Sequence, residues 1–157
     1  MEPSFEKLLV LLAEAEVRFV VVGGVAVTLH GYVRLTEDVD LLLDDDPANV
    51  ERLLGALADY GEGFARELAV ADFTAEEGAI RIVEESEQSQ IDLFTVMSGR
   101  RYKDVIADAE RFSLGGHAVR FASKASLISW KERSMREKDR LDALALRKLE
   151  KDPQAFD

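Results

Sequence analysis

The feature that most constrains the fold is a valine-rich run that stops at a pair of glycines. Val17–Val22 is followed directly by Gly23 and Gly24. This run is mostly β-branched and is apolar apart from Arg18, which predicts a buried strand, and the two glycines predict a sharp turn after it. The segment Val25–Tyr32 then predicts a short helix that ends near Gly31.

Two aspartates interrupt the next apolar run. Glu37–Leu43 predicts a second buried strand, and it carries Asp38 and Asp40. Because successive side chains of a strand alternate between its faces, these two carboxylates share one face, about 7 Å apart. A divalent cation would relieve their repulsion, and Mg²⁺ prefers such hard oxygen ligands. The alternative is a solvated strand edge, which is the commoner explanation of an acidic pair.

A third aspartate lies in a later apolar segment. Asp92 falls within Gln90–Val96, which also predicts a strand. If this strand lies next to the one that carries Asp38 and Asp40, three carboxylates converge. A triad of this kind can hold the two metal ions used in phosphoryl and nucleotidyl transfer. Asp92 is equally compatible with a capped loop position.

The remaining pattern predicts an α+β fold, with a mixed β-sheet covered by helices and with further helices at the C-terminal end. We expect one domain over residues 1–157, with a C-terminal helical segment over about 123–150. Asp46 and Pro47 suit the cap and the first position of a helix. Other predicted elements are a helix over Pro3–Glu16, strands over Phe64–Phe73 and Ala79–Val83, a helix over Tyr102–Ala109 and a hairpin over Arg111–Phe121 that turns at Gly115-Gly116.

Composition excludes several classes of protein. The 31 acidic residues outnumber the 20 basic ones, for a formal net charge of −11, which argues against a general charge-driven nucleic-acid binder. There is no cysteine, so disulfides and thiolate metal sites are excluded. No basic region of a signal peptide precedes the first apolar residues, and no apolar stretch approaches the roughly 20 residues that span a bilayer. A cytoplasmic location is therefore expected.

The ordered set of glycine turn, short helix and D-x-D strand resembles the nucleotidyltransferase fold of the DNA polymerase β type. The chain is also similar to the AbiEii-like toxins and related minimal nucleotidyltransferases of bacteria. Their third carboxylate matches the aspartate in "QIDLF", and their late helical motif is similar to "WKERSMREKDRLD". The matching residues are Gly23, Gly24, Arg34, Thr36, Asp38, Asp40, Asp92, Lys131, Arg136, Lys138, Asp139 and Asp142.

The resemblance implies a site that uses two Mg²⁺ ions and an NTP such as ATP. It makes Asp38, Asp40 and Asp92 metal ligands and catalytic residues, and it adds Lys131 and Asp139 to the catalytic set. Lys131 would also offset the charge of the phosphates. The alternative for Lys131 is a solvated side chain, and the alternative for Asp139 is a helix N-cap.

The same resemblance assigns the triphosphate to the glycine turn. Gly23 and Gly24 would receive it through backbone N–H groups. Many nucleotidyltransferases have a serine where Gly24 stands, so one phosphate contact is made by the backbone or by Thr28, or is missing. Arg34 would contact phosphate, or would pair with a neighbouring acidic residue.

Three functional hypotheses follow. The first is a Mg²⁺-dependent enzyme that transfers a nucleoside monophosphate from an NTP to a hydroxyl of RNA, protein or a small molecule. The second is a toxin of a toxin–antitoxin pair with the same chemistry, with tRNA as an acceptor and a protein antitoxin as partner. The third is a non-catalytic module that keeps the fold and binds nucleotide or a partner. No membrane partner is expected.

Overall fold

The structure, a computed structural model, describes residues 3–31, 38–132 and 137–153. It is a mixed α+β fold, as predicted. The helices are α1 (Pro3–Glu14), α2 (Gly23–Leu29), α3 (Pro47–Leu57), α4 (Tyr102–Val105), α5 (Lys124–Glu132) and α6 (Glu137–Lys151). The strands are β1 (Phe19–Val22), β2 (Val39–Leu43), β3 (Ile80–Glu84), β4 (Ser89–Phe94), β5 (Val96–Met97), β6 (Arg100–Arg101), β7 (Glu110–Leu114) and β8 (His117–Phe121).

Six strands form one mixed sheet in the order β3-β4-β2-β1-β8-β7, and β5 pairs with β6 separately. β1 is antiparallel to β2 and parallel to β8, and β2 is parallel to β4. All four residues of β1 are buried, as expected for the central valine-rich run. The sheet therefore places the start of β2 beside the end of β1 and the middle of β4.

Helices cover this sheet through apolar faces. In α1 the buried residues Phe5, Leu8, Leu9 and Leu12 follow the spacing of one helical stripe. At the start of α3, Asp46 accepts a hydrogen bond from the backbone of Ala48 at 3.0 Å. The predicted cap and the proline at the first helical position are thus confirmed. None of the helices in the described part of the chain is both long and apolar enough to cross a membrane.

Two local predictions differ from the structure, and one is confirmed. The segment predicted as a strand over Phe64–Phe73 instead forms two 3₁₀ turns, Phe64–Glu67 and Val70–Asp72. It is rich in alanine and charged residues, which are depleted in strands. The helix predicted over Tyr102–Ala109 divides into α4 and a 3₁₀ turn. The hairpin at Gly115-Gly116 is confirmed, with φ of +57° and +80° at the two glycines.

Candidate metal and active site

Three aspartates meet at the start of β2. Asp38, Asp40 and Asp92 each offer one carboxylate oxygen, and these oxygens all lie within 4.8 Å of one another. Asp92 is buried, with 4% of its surface exposed, while Asp38 and Asp40 are half-buried. The structure thus brings together the three carboxylates that the sequence pattern singled out.

Strand register produces this convergence. In the parallel pair of β2 and β4, Asp40 lies directly opposite Asp92. In the antiparallel pair of β1 and β2, Val22 lies opposite Asp40, so the glycine turn follows immediately beside it. Asp38 directly precedes β2 and approaches the same face by the two-residue alternation of strand side chains.

Gly23 is packed so closely against this cluster that any side chain at its position would require Asp40 to move. Its φ is +66°, a backbone conformation that L side chains rarely adopt. A Cβ atom at this position would lie 2.0 Å from Oδ2 of Asp40. The glycine turn and the carboxylate cluster are therefore one structural unit.

An arginine that the sequence analysis did not single out completes the cluster. Arg81 in β3 lies opposite Asp92 across an antiparallel pair. Its Nε donates to Oδ1 of Asp92 at 2.8 Å, and its Nη2 donates to Oδ2 at 3.1 Å. The sequence alone does not indicate this pair, because it depends on the register of the antiparallel strands β3 and β4.

This contact keeps Asp92 ionised. Burial alone disfavours the charged carboxylate, but the hydrogen bonds from Arg81 and its positive charge outweigh this cost, so the pKa of Asp92 lies below its ordinary value. A buried carboxylate that remains charged at neutral pH is ready to act as a cation ligand.

The structure describes only some of the other predicted site residues. Gly24 is the second residue of α2, and the Thr28 hydroxyl donates to the Gly24 carbonyl at 3.1 Å. Arg34 lies outside the described residues. Lys131 and Asp139 belong to α5 and α6, but their side chains also lie outside the described part. The roles predicted for these five residues stay predictions.

A second group of aspartates follows the other end of β2. Asp44 accepts a hydrogen bond from Nε of Arg18 at 2.7 Å, and Asp45 accepts one from Arg101. Asp46 caps α3 and lies 3.5 Å from Nη2 of Arg18. These carboxylates are bound by the chain's own cations and backbone, so their role is structural.

The donor set at the start of β2 fits a divalent cation. Three carboxylates supply hard oxygen ligands, which Mg²⁺ and Mn²⁺ prefer. The spacing of their oxygens permits one ion to contact all three, and additional carboxylate oxygens remain for a second ion. The arrangement can therefore bind divalent cations beside the glycine turn.

Comparisons with known proteins give the family and the fold of the chain. A family model described as "Nucleotidyl transferase of unknown function" (DUF2204) matches residues 3–154. A crystal structure of an antigenic nucleotidyltransferase-like protein from Paracoccidioides brasiliensis matches 93% of this chain and 76% of that one, with 20% identity and a TM-score of 0.53. No curated protein matches the sequence significantly. The predicted nucleotidyltransferase fold is confirmed, whereas the AbiEii-like subgroup stays a prediction.

Proposed function

Because the chain belongs to this family of nucleotidyl transferases, we propose that it is a Mg²⁺-dependent enzyme that transfers a nucleoside monophosphate from an NTP to a hydroxyl acceptor. The observation that carries the proposal is the carboxylate triad packed against the glycine turn. Asp38, Asp40 and Asp92 offer oxygens within 4.8 Å of one another. A Cβ on Gly23 would collide with Asp40, so the turn lies in direct contact with the triad.

Each part of the site has a distinct task in this proposal. Asp38 and Asp40 hold the cations, and Asp92 is a ligand that also helps to deprotonate the attacking hydroxyl. The backbone of Gly23 and Gly24 receives the triphosphate. When bound, the cations supply the positive charge that offsets the phosphates and stabilises the leaving group.

Four further residues take their proposed tasks from the resemblance. Lys131 and Arg34 would offset phosphate charge, and Asp139 would steer Lys131 or the acceptor. Thr28 would contact the triphosphate in place of the usual serine, by releasing its hydroxyl from the Gly24 carbonyl. Catalysis of this kind depends on positioning and on stabilisation of charge.

The first test is calorimetric titration of each NTP with Mg²⁺. Wild type is compared with the Asp38→Ala, Asp40→Ala double variant and with a control, Asp45→Ala, Asp59→Ala, that removes the same charge outside the triad. We expect Mg²⁺-dependent binding by wild type and by the control, and none by the triad variant. Equal binding by all three proteins would refute the assigned site.

A labelled-NTP transfer assay on total RNA and total protein then tests the reaction. A labelled product formed by wild type and absent with Asp40→Ala supports the enzyme and identifies the acceptor class. Nucleotide binding without any product favours a non-catalytic binding module.

The AbiEii-like resemblance extends the proposal to a toxin that uses this chemistry, with tRNA as acceptor and a protein antitoxin as partner. Expression of wild type should then arrest bacterial growth, and expression of Asp40→Ala should not. Normal growth with active wild-type enzyme would remove the toxin role and leave the transferase in place.

A further inference from the structure

Arg81 belongs to a row of charged residues that the sheet aligns across three strands. Arg81 in β3 lies opposite Asp92 in β4, and Asp92 lies opposite Asp40 in β2. Residues in register on neighbouring strands point to the same face of a sheet. One positive and two negative side chains therefore stand side by side, and the arginine is at the edge of the sheet.

The contact within this row is a two-point fork. Nε of Arg81 bonds Oδ1 of Asp92 at 2.8 Å and Nη2 bonds Oδ2 at 3.1 Å. The Asp92 side chain is 6% exposed and the Arg81 side chain 59% exposed. Each carboxylate oxygen has two acceptor positions, so the fork occupies one on each oxygen and leaves others for a cation. The fork thus orients the buried carboxylate without blocking it.

We propose that Arg81 is a positioning residue of the cation site: its fork fixes the orientation of Asp92 toward Asp38 and Asp40, and its charge holds the three carboxylates together before a cation binds. The inference rests on the cation site of the proposed function. Groups that orient metal ligands in this way typically change metal affinity by about 10–100-fold when they are removed.

If Arg81 had a different role, its removal would change the cation affinity in the opposite direction. An arginine that merely occupied the place of the cation would have to leave Asp92 when the cation bound. Its removal would then strengthen cation binding, whereas removal of a positioning residue weakens it. The direction of the change in affinity therefore separates the two roles.

The test is the binding of Mn²⁺ alone, measured by calorimetry. Arg81→Gln removes the charge and the fork, and Arg81→Lys keeps the charge but cannot form the fork. Arg66→Gln is the matched control, because Arg66 is also 59% exposed and bonds an aspartate, Asp59, outside the cluster. Melting curves of each variant without metal confirm that it is folded.

We expect Arg81→Gln to weaken Mn²⁺ binding about 10–100-fold, Arg81→Lys to weaken it by less, and Arg66→Gln to leave it unchanged. Equal or tighter binding by Arg81→Gln overturns the proposal. Binding by Arg81→Lys that equals wild type overturns the orienting role, since charge alone would then suffice. If Arg81→Gln does not fold, the comparison of wild type with Arg81→Lys still decides.

Failure of the inference is distinguishable from failure of the proposed function. Wild-type protein that binds Mn²⁺, together with an unaffected Arg81→Gln, removes only the role of Arg81. Wild-type protein that shows no saturable Mn²⁺ binding overturns the cation site, and the role of Arg81 falls with it.

Discussion

Aspartates stand at both ends of β2. Asp38 and Asp40 mark its start, and Asp44, Asp45 and Asp46 follow its last residue directly. At the far end two arginines and the first turn of α3 bind the carboxylates. At the start, two aspartates instead meet a third from β4, with oxygens within 4.8 Å.

The difference shows what distinguishes a candidate site from a structural acidic run. The far end has the greater density of acidic residues in the sequence, yet each of its carboxylates has a local structural task. At the start of β2, carboxylates from two strands share one face of the sheet. Convergence of like charges from separate elements costs free energy, so it indicates a functional requirement more strongly than acidic density does.

The largest expected effect concerns activity. We expect Asp40→Ala to lower nucleotidyl transfer by a factor of about 10³ or more, because a bound cation contributes several kcal/mol to transition-state stabilisation. Asp45→Ala removes the same side chain from the other end of β2 and should keep activity, with a loss of stability below about 1 kcal/mol. Steady-state rates and urea unfolding measure the two effects. Equal loss of activity in both variants would contradict the distinction between the two ends.

The second prediction concerns the stability of the glycine turn. Gly23→Ala places a side chain at a φ of +66° and a Cβ 2.0 Å from Oδ2 of Asp40, so we expect it to lower the free energy of unfolding by about 2 kcal/mol or more. Gly55→Ala is the control, because Gly55 lies in α3 with nothing within 4 Å of the added methyl. That variant should gain up to about 1 kcal/mol. Urea unfolding measures both.

A double variant sharpens this prediction. In the Asp40→Ala background the carboxyl group that Gly23→Ala would strike is absent, so the backbone cost and one close contact with the remaining Cβ of residue 40, at 3.0 Å, are left. Gly23→Ala should therefore be less destabilising there than in wild type. Equal destabilisation in the two backgrounds would show that the glycine is required for its φ alone.

The third prediction concerns the part of the pH dependence of stability that His30 causes, as distinct from the part that the carboxylates cause. Burial lowers the pKa of His30 below 6.5, despite the hydrogen bond with the Ala122 carbonyl and the nearby Glu110 carboxylate, and Lys124 lowers it further. Between this lowered pKa and pH 6.5, the unfolded chain therefore binds a proton that the folded chain does not. Stability should fall as the pH is lowered from 6.5, by at most about 1.4 kcal/mol per pH unit, and it should be unaffected by His30 above 6.5.

The measurement is urea unfolding of wild type and His30→Gln between pH 5 and pH 8. The difference between the two proteins cancels contributions from the acidic residues, including Glu84, whose pKa is raised by burial. A difference that does not change with pH would contradict the prediction.

Much of the site could be predicted because it depends on short-range patterns. The glycine pair, the two-residue spacing of Asp38 and Asp40, and the apolar flanks of Asp92 are all visible in the sequence. Alternation of side chains is a fixed property of strands, so the shared face followed directly. The hairpin at Gly115-Gly116 had the same basis, since its glycines supply the positive φ values that the turn requires.

The remainder depends on register between strands, which a single sequence does not specify. The fork of Arg81 on Asp92 needs the pairing of β3 with β4, and the contact of Gly23 with Asp40 needs the pairing of β1 with β2. The strand predicted over Phe64–Phe73 is wrong. Its alanines and charged residues favoured local 3₁₀ turns instead.

The smallest predicted effect concerns the far end of β2. Asp46→Ala removes the hydrogen bond to the Ala48 backbone and should lower the free energy of unfolding by about 1 kcal/mol. Asp46→Asn should cost much less, because asparagine caps helices as well as aspartate does, while the 3.5 Å contact with Arg18 is exposed and contributes little. Urea unfolding distinguishes the two variants.

Transfer activity of the same two variants completes the comparison. Since Asp46 serves the start of α3 and lies after the last residue of β2, both variants should turn over NTP at the wild-type rate. Asp40→Asn, which also keeps the shape and removes the charge, should instead lose most activity, because a neutral amide is a poor ligand for a divalent cation. If Asp40→Asn and Asp46→Asn both kept wild-type transfer activity, the charge at the start of β2 would serve only the fold.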